Sequence, residues 1–259
     1  MADAMAAELT VMRVVVVGAS SGLGRCAGID LGGRGNRVAL LARRHDRLAD
    51  AAKEAGPDAL AITCDVTDEE SCRAAIEAAA TGLGGIDALV YTTGIGPLAP
   101  IEQTNADTWR SVMDTNVIGA ALITNAALPH LTASAGTAVY LSTVGASITP
   151  AWPGFAGYHV SKAALEKLVE AYRVEHPEVG FTRFVVRDCG GGEGDSRTEF
   201  NNGWDMTYAA EVVPVWRQRG YLSGDLLDVS EFLRTLDAVL RCGGTIPEVT
   251  VTPRASRKP

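Results

Sequence analysis

Tyr158 and Lys162 stand four residues apart in Tyr158-His159-Val160-Ser161-Lys162-Ala163-Ala164-Leu165, a run that favours helix. On a helix that spacing puts both side chains on one face. An ammonium beside a phenol favours the phenolate and draws a pKa near 10 toward working pH. Such a pair suits general acid/base work on a carbonyl or alcohol oxygen. Tyr and Lys at this spacing are also common on helix surfaces, so the pair gains meaning only from what precedes it.

What precedes it is Gly18-Ala19-Ser20-Ser21-Gly22-Leu23-Gly24, directly after the apolar run Val14–Val17 and opening a helix-like stretch. Gly18 permits a tight turn, Gly22 lets the backbone approach a diphosphate, and Gly24 lets the helix pack close to the sheet. The helix N-terminus favours the anionic phosphates. Glycine-rich turns also join strand to helix for steric reasons alone; the strand before and the helix after favour dinucleotide binding. At the end of the second apolar run stand Ala42 and then Arg43-Arg44, with no acid until Asp46. An acid there would bind the ribose 2′-hydroxyl of NAD(H), whereas an arginine fork binds a 2′-phosphate. The expected cofactor is NADP(H), with NAD(H) less favoured.

The elements that must position these residues alternate. Strands are expected at 14–17, 38–42, 59–63, 87–92, 137–141, 181–186 and 249–252, and helices at 25–31, 43–55, 68–80, 107–128, 158–175 and 229–240. Pro129 is expected to end the fourth helix. Strand–helix alternation with short Gly/Pro/Asp punctuation implies right-handed βαβ units, hence an α/β fold: a doubly wound, Rossmann-type parallel sheet with helices on both faces. No linker or repeat divides the chain. It is expected to comprise an N-terminal tail at 1–10 and a single domain at 11–259. Residues 188–224 break the rhythm with four glycines at 190–194 and the aromatics Phe200, Trp204, Tyr208, Trp216 and Tyr221, as a substrate loop does.

Composition narrows the function classes. The 259 residues include 23 Lys+Arg and 31 Asp+Glu, a net charge of −8, which disfavours binding a nucleic-acid backbone. No apolar run of about 20 residues is evident, so no membrane span is expected. The first ten residues carry two acids and no base, unlike a secretory signal. Five widely spaced cysteines without a C-x-x-C pair read as reduced thiols of a cytoplasmic protein, and neither they nor the four scattered histidines suggest a metal site.

Taken in order, the glycine loop at 18–24, Cys64-Asp65-Val66, Asn116 in Asp114-Thr115-Asn116-Val117, Ser142 in Leu141-Ser142-Thr143-Val144-Gly145, and Tyr158-x-x-x-Lys162 resemble the short-chain dehydrogenase/reductase superfamily from about Met12 to Val251. The resemblance implies that Tyr158 exchanges the proton with substrate. Lys162 would hold the nicotinamide ribose and lower the tyrosine pKa, and Ser142 would hydrogen-bond the reacting carbonyl. Asn116 would hold a relay water through a kinked helix. Gly18, Ser20, Ser21 and Leu23 would line the diphosphate, Asp65 and Val66 the adenine. Arg43 occupies the basic position of NADP-preferring members.

The chain also departs from the pattern. Thr92-Thr93-Gly94 replaces the usual Asn-Ala-Gly, with Thr92 the candidate to take over the asparagine's contact. Ser142 and Tyr158 lie sixteen apart (158 − 142 = 16), a few more than usual. Asp188-Cys189-Gly190-Gly191-Gly192 replaces the usual Pro-Gly, with Thr198 the nearest downstream threonine. The leading expectation is an NADP(H)-dependent carbonyl reductase or alcohol dehydrogenase acting on an apolar small molecule. The alternative is a dinucleotide sensor of the same fold, and a third is a non-redox member such as a dehydratase or epimerase. Helices 107–128 and 158–175 are apolar on more than one side, and in the family they pair subunits, so a homodimer or homotetramer is expected.

Overall fold

In the computed structural model, which describes residues 11–222 and 224–254, the valines at 14–17 form the centre of β1 (Arg13–Val17). β-Branched residues apolar at every position suit a strand covered on both faces. Val14 and Val16 point into one buried cluster and Val15 and Val17 into the other. The strands that follow are β2 (Arg37–Ala42), β3 (Leu60–Thr63), β4 (Ala88–Tyr91), β5 (Thr137–Thr143), β6 (Gly180–Val186) and β7 (Glu248–Val251). They make one parallel seven-stranded sheet in the order β3-β2-β1-β4-β5-β6-β7. The chain order reverses at β1 and β4, where Val15 pairs with Leu89 and Val17 with Tyr91. The tail expected at 1–10 lies outside the described residues.

One face of the sheet is covered by α1 (Gly22–Gly33), α2 (His45–Ala55) and, later in the chain, a C-terminal helix at Val229–Leu240. The other is covered by α3 (Glu69–Leu83) and by two long helical stretches. The first of these is interrupted: α4 (Ala106–Met113) passes through a wider π turn at Asp114–Ile118 into α5 (Gly119–Ser134). The helix expected at 107–128 therefore contains a π turn, and Pro129 does not end it. Leu131, beyond the proline, is buried, and its carbonyl receives Gly136 N–H at 2.8 Å, which holds the extra turn in place. By length and composition alone Ala106–Ser134 is also apolar enough to cross a membrane, an 18-residue window within it having a mean hydropathy of 1.3, although no span was expected. In this fold Ile123, Ala127 and Leu131 pack against the sheet.

A short α6 (Val144–Ser147) leads to α7 (Ala156–Glu175), and α8 (Met206–Gln218) lies within the aromatic insertion, followed by the C-terminal helix, α9 (Val229–Leu240). Residues 188–224 are thus more regular than a loop. α8 starts at Asp205, whose carboxylate accepts Thr207 and Tyr208 N–H, and it buries Val212 and Trp216. Trp216, Trp152 and Phe155 form a third apolar cluster beside the sheet.

The β1–α1 turn depends on two glycines. Gly18 has φ +91°, a conformation that L side chains rarely adopt. Gly24 packs so closely that a Cβ would lie 2.3 Å from Thr92 Oγ1 and 2.4 Å from Gly18 O. Gly24→Ala is expected to lose about 1–3 kcal/mol of stability to overpacking. Gly33→Ala, where a Cβ meets nothing within 4 Å, serves as the control and should be neutral or stabilising. Paired urea denaturation measures both, and equal stabilities for the two variants would contradict the close-packing argument.

Candidate active site

The ends of β1, β2, β4, β5 and β6 open onto one cleft of about 1040 Å³. It is lined by Gly18, Ser20, Ser21, Gly22, Leu23, Gly24, Arg43, Arg44, Asp65, Val66, Thr92, Thr93, Gly94, Ser142, Tyr158 and Lys162. Ligands of open α/β sheets bind at such a crevice, where the strand order reverses. Asn116 alone among the expected site residues is not on its wall. It is fully buried in the π turn, where its Oδ1 accepts Ile95 N–H (2.8 Å) and its Nδ2 donates to Ile95 O and Ser161 Oγ, both at 2.9 Å. Asn116 thereby fixes the backbone just after Gly94.

At the glycine-loop end, Thr92 Oγ1 donates to Val17 O at 2.7 Å, so Thr92 ties the end of β4 to β1. Asp65 is an acceptor for Thr67 N–H (3.0 Å) and Thr67 Oγ1 (2.8 Å), which hold its carboxyl below the usual carboxylate range. Arg43 is exposed on the cleft wall. Arg44 donates to Ser20 Oγ at 2.8 Å and Ser21 Oγ at 2.9 Å, and pairs with Glu199.

At the other end, α7 carries Tyr158, Lys162 and Glu166 at successive spacings of four. Lys162 is buried, and its Nζ donates to Leu141 O at 2.8 Å and lies 5.9 Å from the centre of the Tyr158 ring. Burial pushes its pKa down to about 8, against the pull of Glu166. Tyr158 packs edge-on against Phe200, with ring centres 4.8 Å apart, and burial holds its phenol above the ordinary value. The expected lowering by Lys162 is not realised here, because desolvation of the phenolate is the dominant cause of the shift.

Ser142 Oγ, on the same side of β5 as α7, donates to Glu166 Oε1 at 2.6 Å. Glu166 in turn pairs with Arg183 at 2.5 Å, and Arg183 with Glu248 on β7. Sequence reasoning passed over Glu166, although its i,i+4 step from Lys162 was a usable signal. It also passed over Glu199, Arg47 and His159. Nothing local marked Glu199, because its partners lie on a helix about 150 residues away in sequence.

The wall beside Tyr158 is aromatic. Trp152 stacks on Tyr221 with ring centres 5.7 Å apart, and Phe155 meets Trp216 edge-on at 5.0 Å. Trp216 Nε1 donates to Pro153 O and Trp204 Nε1 to Gly96 O, both at 2.9 Å, so each buried indole N–H has a partner. Trp152, Phe155, Phe200, Trp204 and Trp216 all reach the cleft.

A glycine loop opening a helix beneath a reversal of strand order, with a tyrosine–lysine pair on the facing helix, defines a dinucleotide-dependent α/β oxidoreductase class. A profile of the short chain dehydrogenase family matches residues 12–201, and the chain belongs to that family, whose members bind nicotinamide dinucleotides. It is 35% identical over 175 residues to 11-beta-hydroxysteroid dehydrogenase A of Sesamum indicum, covering 65% of this chain and 50% of the relative. It is 34% identical over 170 residues to cis-4-hydroxycyclohexanecarboxylate dehydrogenase of Sinomonas cyclohexanicum, covering 64% and 68%. The chain thus spans about half the length of the hydroxysteroid dehydrogenase it matches. Among solved structures, a short-chain type dehydrogenase/reductase from Mycobacterium marinum superposes with a TM-score of 0.78 at 25% identity, covering 93% of each chain. An alcohol dehydrogenase from Thermococcus sibiricus, complexed with 5-hydroxy-NADP, shares the fold with a TM-score of 0.76 at 21% identity, covering 95% of this chain and 97% of that one.

His159 gives the site a pH dependence. It is buried, its Nδ1 accepts Trp152 N–H at 3.1 Å, and burial pushes its pKa down from 6.5 to about 4. The folded state therefore binds fewer protons than the unfolded state between those values, and stability falls as the pH drops through that window. Chemical denaturation from pH 7 to pH 4 should show this loss, and His159→Gln should flatten it. An unchanged slope in the variant would assign the acid sensitivity elsewhere.

Proposed function

We propose that this chain is an NADP(H)-dependent oxidoreductase that interconverts an alcohol and a carbonyl on an apolar, ring-bearing small molecule. The observation that carries the reading is the convergence of Ser142, Tyr158 and Lys162 on the cleft whose opposite end holds the glycine loop, Arg43 and Arg44. The fit to a dinucleotide rests on the Gly18 and Gly24 positions, where a Cβ would fill the turn, and on the cationic edge beside Ser20 and Ser21. When bound, the nicotinamide supplies or accepts a hydride. Gly18, Ser20, Ser21 and Leu23 would line the dinucleotide's diphosphate, Asp65 and Val66 its adenine, and Arg43 and Arg44 the 2′-phosphate. Tyr158 gives its phenolic proton to the substrate oxygen in reduction and takes it back in oxidation. Lys162 stabilises the phenolate, and the Ser142 hydroxyl turns from Glu166 to the reacting oxygen.

The aromatic wall favours an apolar substrate, and the relatives named above are dehydrogenases of hydroxylated ring compounds. Tyr158→Phe keeps the ring packing and removes the proton. Turnover is expected to fall by at least about 100-fold with cofactor affinity little changed. A ketone panel followed by NADPH absorbance measures it, and retained turnover would remove Tyr158 from the proton-transfer role.

The proposed assembly is a homodimer or homotetramer through α5 and α7. Ile118, in the π turn leading into α5, and Val160, on α7, are 48% and 51% exposed, an apolar area that a second copy would cover. Light scattering at micromolar protein is expected to give at least twice the 27.1 kDa chain mass, and a monomeric mass would overturn this.

A further inference from the structure

The segment following β6 doubles back over the mouth of the cleft, and its Glu199 carboxylate lands on the arginine edge. Glu199 Oε1 receives Arg47 Nη1 at 2.5 Å, and its Oε2 receives Arg44 Nη1. Arg44 also donates to Ser20 Oγ and Ser21 Oγ, so two guanidinium groups converge on a single anion and one of them is anchored to the glycine loop. Paired guanidinium groups around one anion are donors that a phosphate monoester also takes, and Ser20 and Ser21 hold one of them beside the glycine loop. The backbone of the segment is docked as well. Gly22 N–H, in the first turn of α1, donates to Arg197 O at 3.3 Å. Thr198 Cα lies 3.5 Å from where a Gly22 Cβ would be. A bridge between Gly191 and Arg197, with Thr198 N–H donating to Gly190 O at 2.9 Å, makes 190–198 a tight unit, so Arg197 and the adjoining Glu199 move together.

We propose that Glu199 is an internal occupant of the 2′-phosphate site and a specificity-determining residue for the cofactor. With the segment docked, its carboxylate neutralises Arg44 and Arg47. A 2′-phosphate, carrying more charge and a third acceptor oxygen, displaces it and lifts the segment from the glycine loop. A ligand with a 2′-hydroxyl leaves the ion pairs in place. The exchange is feasible because the pairs are open to solvent, with side-chain exposures of 44% for Arg44, 41% for Arg47 and 27% for Glu199, and ion pairs so exposed are weak. The inference rests on the NADP(H) reading of this site.

The test uses half-cofactors, so that no turnover is needed. Calorimetric titration compares adenosine 2′,5′-bisphosphate with 5′-AMP on the wild type, Glu199→Gln and Arg44→Ala. Glu199→Gln is expected to bind the bisphosphate about tenfold more tightly, the size of one charge-assisted contact, with 5′-AMP unchanged. Trypsin cleavage after Arg197 reports the segment itself. In the wild type the bisphosphate should accelerate it and 5′-AMP should not, and in Glu199→Gln it should be fast without ligand. An unchanged bisphosphate affinity in Glu199→Gln, or equal shifts for both ligands, overturns the proposal. If the wild type prefers the bisphosphate and only Arg44→Ala removes that preference, the proposal fails and the cofactor reading stands. If the wild type shows no preference and Glu199→Gln creates one, the proposal stands and the reading of native NADP(H) preference fails.

Discussion

The parallel pairing of β1 with β4 is the constraint from which the site follows. Successive crossovers build outward from β1 in one direction and from β4 in the other, so the loops after these two strands leave toward opposite faces and a crevice must open between them. The strand ends at that crevice are held at Val17 O, which accepts both Thr92 N–H at 2.9 Å and the Thr92 Oγ1 hydroxyl at 2.7 Å. Gly18 and Gly24 both approach that hydroxyl more closely than a side chain would allow. The turn, the start of α1 and the end of β4 are therefore one packed unit, and a dinucleotide would rest on its outer surface.

α7 performs the corresponding task on the other side. Its Tyr158–Lys162–Glu166 face lies against β5, and the two charged groups that it buries both have partners. Lys162 takes Leu141 O, while Glu166 takes Ser142 Oγ and Arg183. Buried charges are tolerated only with such partners, because an unpaired one costs several kcal/mol of desolvation. The pairing also links the serine hydroxyl at the cleft, through Glu166 and Arg183, to Glu248 on β7. Tyr158, the proposed acid/base group, is thus oriented together with Lys162 and Ser142 by the same helix-on-strand contact that closes the core with Leu165 and Val169.

Much of this was legible because short-range physics decides it. Four consecutive valines have one stable use in a protein of this size, a strand covered on both faces, and glycines at 18, 22 and 24 fit a strand-to-helix turn with close packing. Tyr158 and Lys162 share a helix face for the same local reason. Where local rules misled, burial overrode them. Pro129 stays within its helix because the turn beyond it buries Leu131. The Tyr158 phenol stands above its ordinary value because desolvation outweighs the neighbouring ammonium. Residues 206–218, expected as part of a loop, form a helix because Val212 and Trp216 find an aromatic cluster to enter.

The sequence by itself determined the alternation of strands and helices, the family, and the cleft residues that come in tight motifs, since each depends on neighbours within about one turn or one strand. Only the tertiary structure decided which distant groups complete the site. Glu199 reaches Arg44 and Arg47, Ser142 commits its proton to Glu166, and Asn116 clamps Ile95 rather than lining the cleft. Those contacts join segments 24 to 155 residues apart in most cases, and 21 apart for Asn116 and Ile95. Their geometry is set by how helices of given length pack on a twisted sheet, which no local pattern of residue types encodes.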